Sequence, residues 1–98
     1  MRFSYKIHKK DDAVILAICD SSLLGKNLED DEINFHVSEE FYNQDICDDT
    51  HIKELIRTAT IINVIGKDII NIMTNEKMVQ KDRILKIAGV PHAQIIKI

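Results

Sequence analysis

The sequence predicts an α+β domain: a mostly antiparallel sheet of about five strands, with two or three helices packed on one face. Three observations carry that prediction. Residues 3–8 and 32–37 alternate between apolar and polar side chains, and residues 13–19 form a β-branched run apolar on both sides, which are the patterns of half-buried and fully covered strands. From about Thr50 the apolar spacing changes to that of a helix. After residue 83 short apolar runs return around Gly89 and Pro91. Strands, then helices, then strands again favour a layered α+β domain over an alternating β/α one.

Taken in order, Phe3, Tyr5 and Ile7 point one way and Ser4, Lys6 and His8 the other. Residues 9–12, two lysines and two aspartates, make a polar turn into residues 13–19, so the two strands form a hairpin. Asp20, Ser21 and Ser22 offer capping oxygens for a single helical turn. In 32–37, Ile33, Phe35 and Val37 face inward. Ser38 followed by Glu39 and Glu40 reads as a capped turn, with Phe41 and Tyr42 docking it on the core.

Ile52, Leu55, Ile56 and Ala59 then share one stripe of a helix whose start Asp48, Asp49 or Thr50 can cap. Residues 60–65 admit either helix or strand, because Asn63 sits inside an otherwise apolar run. Gly66 redirects the chain into a second helix over 67–74. Residues 84–87 and 93–98 read as two strands flanking a turn at 88–92.

Ninety-eight residues with 45% hydrophobic side chains and one proline suit one domain, residues 1–98, with one modest core. That composition excludes disordered and collagen-like chains. No run approaches the roughly 20 apolar residues of a membrane helix, and residues 1–12 lack the apolar stretch of a secretory signal. Two cysteines far apart do not form a disulfide framework, so the expectation is a cytoplasmic protein with reduced thiols. Charge is segregated. Residues 27–52 hold nine of the sixteen acids and no Lys or Arg, leaving all thirteen basic residues elsewhere against seven acids, a balance of +6.

Several segments together are similar to a small archaeal family, the domain-of-unknown-function family number 424. They are Lys6-Ile7-His8, Ala17-Ile18-Cys19-Asp20, Leu23-Leu24-Gly25-Lys26, residues 37–42, Ala59, residues 62–66, and Gly89-Val90-Pro91-His92-Ala93-Gln94. The pieces run in order along nearly the whole chain, and the last is the most specific. The resemblance implies a cytoplasmic archaeal protein and brings no activity, cofactor or catalytic residue with it.

Candidate ligand-binding residues come from three stretches: Cys19 with Asp20, Asn63, and Pro91 with His92 and Gln94. Pro91 stiffens the turn, and alternation puts His92 and Gln94 on one side of the following strand, an imidazole beside an amide. Cys19 ends a buried strand, where a thiolate–imidazolium pair with His8 or His92 is chemically open, with Asp20 orienting the ring. Asn63 must find partners or cost roughly 1–3 kcal/mol for each unsatisfied group.

Cys47 and His51, with Asp45, Asp48, Asp49 and His36, hold metal-ligating atoms without a second ligand pair, so no metal is assigned. No cofactor fingerprint, phosphate loop or serine elbow is present. The expected function is a non-catalytic binding or adaptor module, possible partners being RNA or the translation machinery, with a homodimer also open through exposed strand edges. The alternative is a small enzyme with a pocket of Cys19, Asp20, His92 and Gln94.

Overall fold

The computed structural model describes residues 1–97. Its frame is a six-stranded sheet ordered β5-β1-β2-β6-β8-β7, formed by β1 (Phe3–Lys10), β2 (Ala13–Asp20), β5 (Asp45–Cys47), β6 (Ile61–Ile65), β7 (Leu85–Ile87) and β8 (Val90–Ile96). Only β2 and β6 run parallel; every other neighbouring pair is antiparallel. A separate two-stranded sheet pairs β3 (Asn27–Glu29) with β4 (Asn34–His36). The helices are α1 (Glu39–Tyr42), α2 (Asp49–Thr58) and α3 (Lys67–Asn75). The predicted α+β class and the antiparallel bias therefore hold.

Alternation along the strands gives the sheet two faces, each with its own core. On one, α2 and α3 lay Ile52, Ile56, Ile69 and Met73 against Phe3, Ile18, Ile62 and Val64. On the other, α1 and the β3–β4 hairpin bring Val37 and Tyr42 against Ala17, Cys19 and Ile65. So two helices share a face, as expected, while the one-turn helix lies across the sheet from them.

Of residues 60–65, Ile61–Ile65 resolve as strand. β6 sits in the middle of the sheet between β2 and β8, so it is apolar on both sides, the condition that made its pattern fit an enclosed helix equally well. The strand expected over 32–37 shrinks to β4 and joins the hairpin instead of the main sheet. Asp30 closes that hairpin, its Oδ1 accepting from the N–H groups of Glu32 and Ile33 at 2.9 and 2.8 Å. The turn expected over 88–92 is only two residues long: Ala88 and Gly89 both have positive φ, 50° and 82°, and pairing resumes at Ile87 with Val90, a turn geometry matched to strand twist. The final expected strand, 93–98, begins earlier, at Val90, and its last residue, Ile98, lies outside the described residues.

Candidate functional site

Three alternate side chains of β1 anchor α1. Lys6 Nζ donates to Glu40 O at 2.9 Å, His8 Nε2 to Phe41 O at 2.9 Å, and Ser4 Oγ to Tyr42 O at 2.8 Å. Three successive carbonyls that a short helix leaves unpaired are thus satisfied by one strand face. At the other end, Ser38 Oγ accepts from Phe41 N–H at 3.1 Å, the cap that the sequence predicts. Fixed in this way, α1 presents Phe41 and Tyr42 to the sheet. His8 stacks on the Phe41 ring at 4.8 Å, and Tyr42 meets the same ring edge-on at 4.9 Å.

Between α1, β4 and the strands β6 and β8 lies a cleft of about 320 Å³, lined by Phe35, His36, Ser38, Phe41, Tyr42, Asn63 and His92. Tyr42 Oη donates to Asn63 Oδ1 at 2.8 Å. Burial, reinforced by the nearby Cys19, pushes the Tyr42 phenol up, so it remains a donor. Because Tyr42 takes the oxygen end of the amide, the NH₂ end of Asn63 remains as a donor, without a protein partner among the described residues. His92 Nδ1 is buried and also has no hydrogen-bond partner among them, and its ring centroid lies 6.5 Å from that of Phe35. Burial holds the His92 imidazole below its ordinary pKa, which favours the neutral ring. No Lys or Arg lines the cleft.

The register settles which candidate residues gather. Cys19 opposes Ile65, Ile65 opposes His92, and Asn63 opposes both Ala17 and Gln94; directly paired residues share a face, so Cys19, Asn63, His92 and Gln94 all project to the cleft side. Asn63 and His92 reach the cleft itself. Gln94 lies one position beyond His92 on that face and lines a neighbouring groove. Cys19 is wholly buried in the core beneath, and burial, with Asp20 beside it, pushes its thiol pKa up to about 12. A neutral, enclosed thiol is a packing group and no nucleophile at physiological pH.

Asp20 and Pro91 point to the opposite face. Asp20 Oδ2 and Oδ1 accept from the N–H groups of Asp68 and Ile69 at 3.0 and 2.9 Å, capping α3, while the turn at Ser21–Leu23 that it was expected to cap has no side-chain cap. Its carboxyl is raised by burial, with the two N–H bonds acting in the other direction. Pro91 lines a hollow with Lys67 and Lys86. The Cys19, Asp20, His92 and Gln94 quartet is therefore split across the sheet and forms no single pocket.

Sequence reasoning missed Phe35, His36, Ser38, Phe41 and Tyr42 as cleft residues. The available signal was crowding: three of the five aromatic residues fall within residues 35–42. The cysteine and histidine considered for metal, Cys47 and His51, line a different hollow of about 480 Å³ with Asp45 and Asp48. Burial, then Asp48, Asp45 and Asp49, raise the Cys47 thiol to about 11. Among the described residues no group of three or more His, Cys, Asp or Glu is placed to hold a metal ion, and no helix is long and apolar enough to cross a membrane.

No functionally curated protein matches the chain. A crystal structure of an uncharacterized conserved protein from Methanopyrus kandleri is similar throughout, with a TM-score of 0.80 and 28% identity over 100% of this chain and 95% of that one. The model of the family described as Protein of unknown function (DUF424) matches residues 8–98, which include both cleft-lining candidates, Asn63 and His92. The chain belongs to the DUF424 family.

Proposed function

We propose that this protein is a non-catalytic binding module whose cleft receives a flat, uncharged, hydrogen-bonding side chain of a partner protein. One observation carries the reading. In a cleft walled by Phe35 and Phe41, the buried His92 Nδ1 has no hydrogen-bond partner among the described residues, and the Asn63 amide, held by Tyr42 through its oxygen, has its NH₂ end free to donate. Buried polar atoms are nearly always paired, so an unpaired one beside apolar walls fits a ligand that supplies the missing bond. A tyrosine, tryptophan or amide side chain offers both the flat surface and a polar edge.

RNA fits the cleft less well. No cation lines it, and Glu39 and Glu40 of α1 are exposed beside it, whereas RNA brings phosphates that need Lys or Arg. The enzyme alternative loses support with the division of its quartet and the burial of Cys19. A cytoplasmic protein of archaeal type fits the free, unbridged cysteines and the Methanopyrus similarity.

The test is calorimetric titration of the full chain with N-acetyl-tyrosinamide, N-acetyl-tryptophanamide, adenosine and adenosine monophosphate. The expected result is saturable binding of at least one amino-acid amide, lost in Phe41→Ala and weakened by roughly fivefold in Asn63→Ala, since one hydrogen bond contributes about 1 kcal/mol. Binding of the nucleotide in preference to all uncharged probes, or of no probe at all, would overturn the reading.

A further inference from the structure

The two edges of the main sheet are finished differently. At the β5 edge the outward N–H groups are taken by side chains: Ile46 N–H donates to Asp45 Oδ1 at 2.8 Å, and beyond it Ile7 N–H of β1 donates to Gln44 Oε1 at 3.0 Å. At the β8 edge it is open. Gly66 N–H donates to Pro91 O and Lys97 N–H to Thr60 O, which fixes the odd-numbered residues of β8 as those whose backbone groups face β6. The even-numbered ones face outward. β7 covers them only as far as the pairing of Leu85 with His92. The N–H and C=O groups of Gln94 and Ile96 therefore project from the sheet with no strand beside them among the described residues.

A groove of about 590 Å³ runs along this stretch, lined by Gln94, Ile96, Leu85, Val79, Lys77 and Arg83, among others. Leu85 and Ile96 are 66% and 63% exposed, two of the most exposed large apolar side chains in the protein. Register puts them on the same face as Gln94. Among the described residues, two cations and no side-chain carboxylate line the groove. Natural sheets usually blunt their edges, and here one edge is blunted while the other combines free backbone, aliphatic side chains and positive charge.

We propose that the open edge of β8 takes up an extended acidic peptide of a partner protein as an added strand, bonded to the backbone of Gln94 and Ile96 with its carboxylates toward Lys77 and Arg83. Added strands gain affinity from main-chain bonds and specificity from alternate side chains. A pairing of three residues is already sufficient for β5 on β1 in this fold. The alternation of free N–H and C=O groups suits a peptide, and the groove holds no aromatic ring besides His92 on which a base could stack. A second copy of this chain fits poorly, because edge-to-edge pairing about a two-fold axis sets Lys77 and Arg83 against their own equivalents. His92 lines both this groove and the cleft, but Gln94 and Ile96, whose backbone the added strand would engage, line only the groove.

The experiment titrates the full chain with an acetylated, amidated heptapeptide of alternating glutamate and valine, read by amide hydrogen exchange and calorimetry. A lysine–valine peptide and a backbone N-methylated glutamate–valine peptide serve as controls. The expected result is saturable binding of the glutamate peptide alone, with slowed exchange at the Gln94 and Ile96 amides. The Lys77→Glu, Arg83→Glu double variant, altered only at exposed positions, should bind it at least about tenfold more weakly. Binding without protection of those two amides, equal binding of the lysine peptide, or competition by an oligouridylate would overturn the proposal. So would protection of the same amides by self-association in the absence of peptide.

Discussion

His92 carries a pH signature. Burial lowers its folded-state pKa below the ordinary value near 6.5, so between those two values the unfolded chain binds more protons than the folded one. Stability therefore rises with pH across that window, is fully present above about pH 6.5, and falls as pH drops through the lowered value. The His92→Gln variant should show a flatter dependence of unfolding free energy on pH below about 6.5, measured by urea denaturation at a series of pH values. An unchanged slope would mean that His92 titrates alike in both states. Asn63 was legible as an amide inside an apolar run, and His92 through the turn at Pro91 and its alternation with Gln94. Asp20 was misread because its partners, Asp68 and Ile69, stand 48 and 49 positions further along, and local capping rules look only a few residues ahead.

At the scale of elements, α3 starts where β2 ends. Its Gly66 has φ 126°, and a Cβ there would lie 2.3 Å from Asp20 Cγ. The glycine therefore serves two needs: a positive φ and room for the capping carboxylate. Gly66→Ala should cost roughly 1–3 kcal/mol from backbone strain alone, and Asp20→Ala about 0.5–2 kcal/mol from the lost cap. The double variant should be less destabilised than the two effects added, because truncating Asp20 removes the clash but leaves the strained φ. Chemical denaturation of the three variants measures this, and strict additivity would contradict the account.

Other elements were legible in proportion to their length and exposure. The amphipathic α2 declares one wet face and one buried stripe, Ile52 and Ile56. β5, three residues among aspartates, carries no usable alternation and was missed. β6 was ambiguous because a central strand is covered on both sides, which erases the period that separates strand from helix.

Across the whole molecule, the acidic stretch of the sequence is spread over several elements that meet basic ones. It supplies β5 at one edge of the main sheet, where Arg2 lines a hollow with Asp45 and Asp48. The acidic stretch also supplies the β3–β4 hairpin and α1, which cover the second sheet face only in part. That partial cover creates the cleft. Sequence order alone does not reveal it, because the walls come from residues 35–42 and the polar floor from β6 and β8, joined only by tertiary pairing.

The claim that Asn63 and His92 serve one bound group is tested most directly by the NMR resonances of the Asn63 side-chain NH₂ and the His92 ring during titration with N-acetyl-tyrosinamide or N-acetyl-tryptophanamide. The account predicts that both residues shift together along one saturation curve, and that Phe41→Ala abolishes the response in a protein that still folds. Shifts confined to distant residues, or none at either position up to the solubility of both probes, would contradict it.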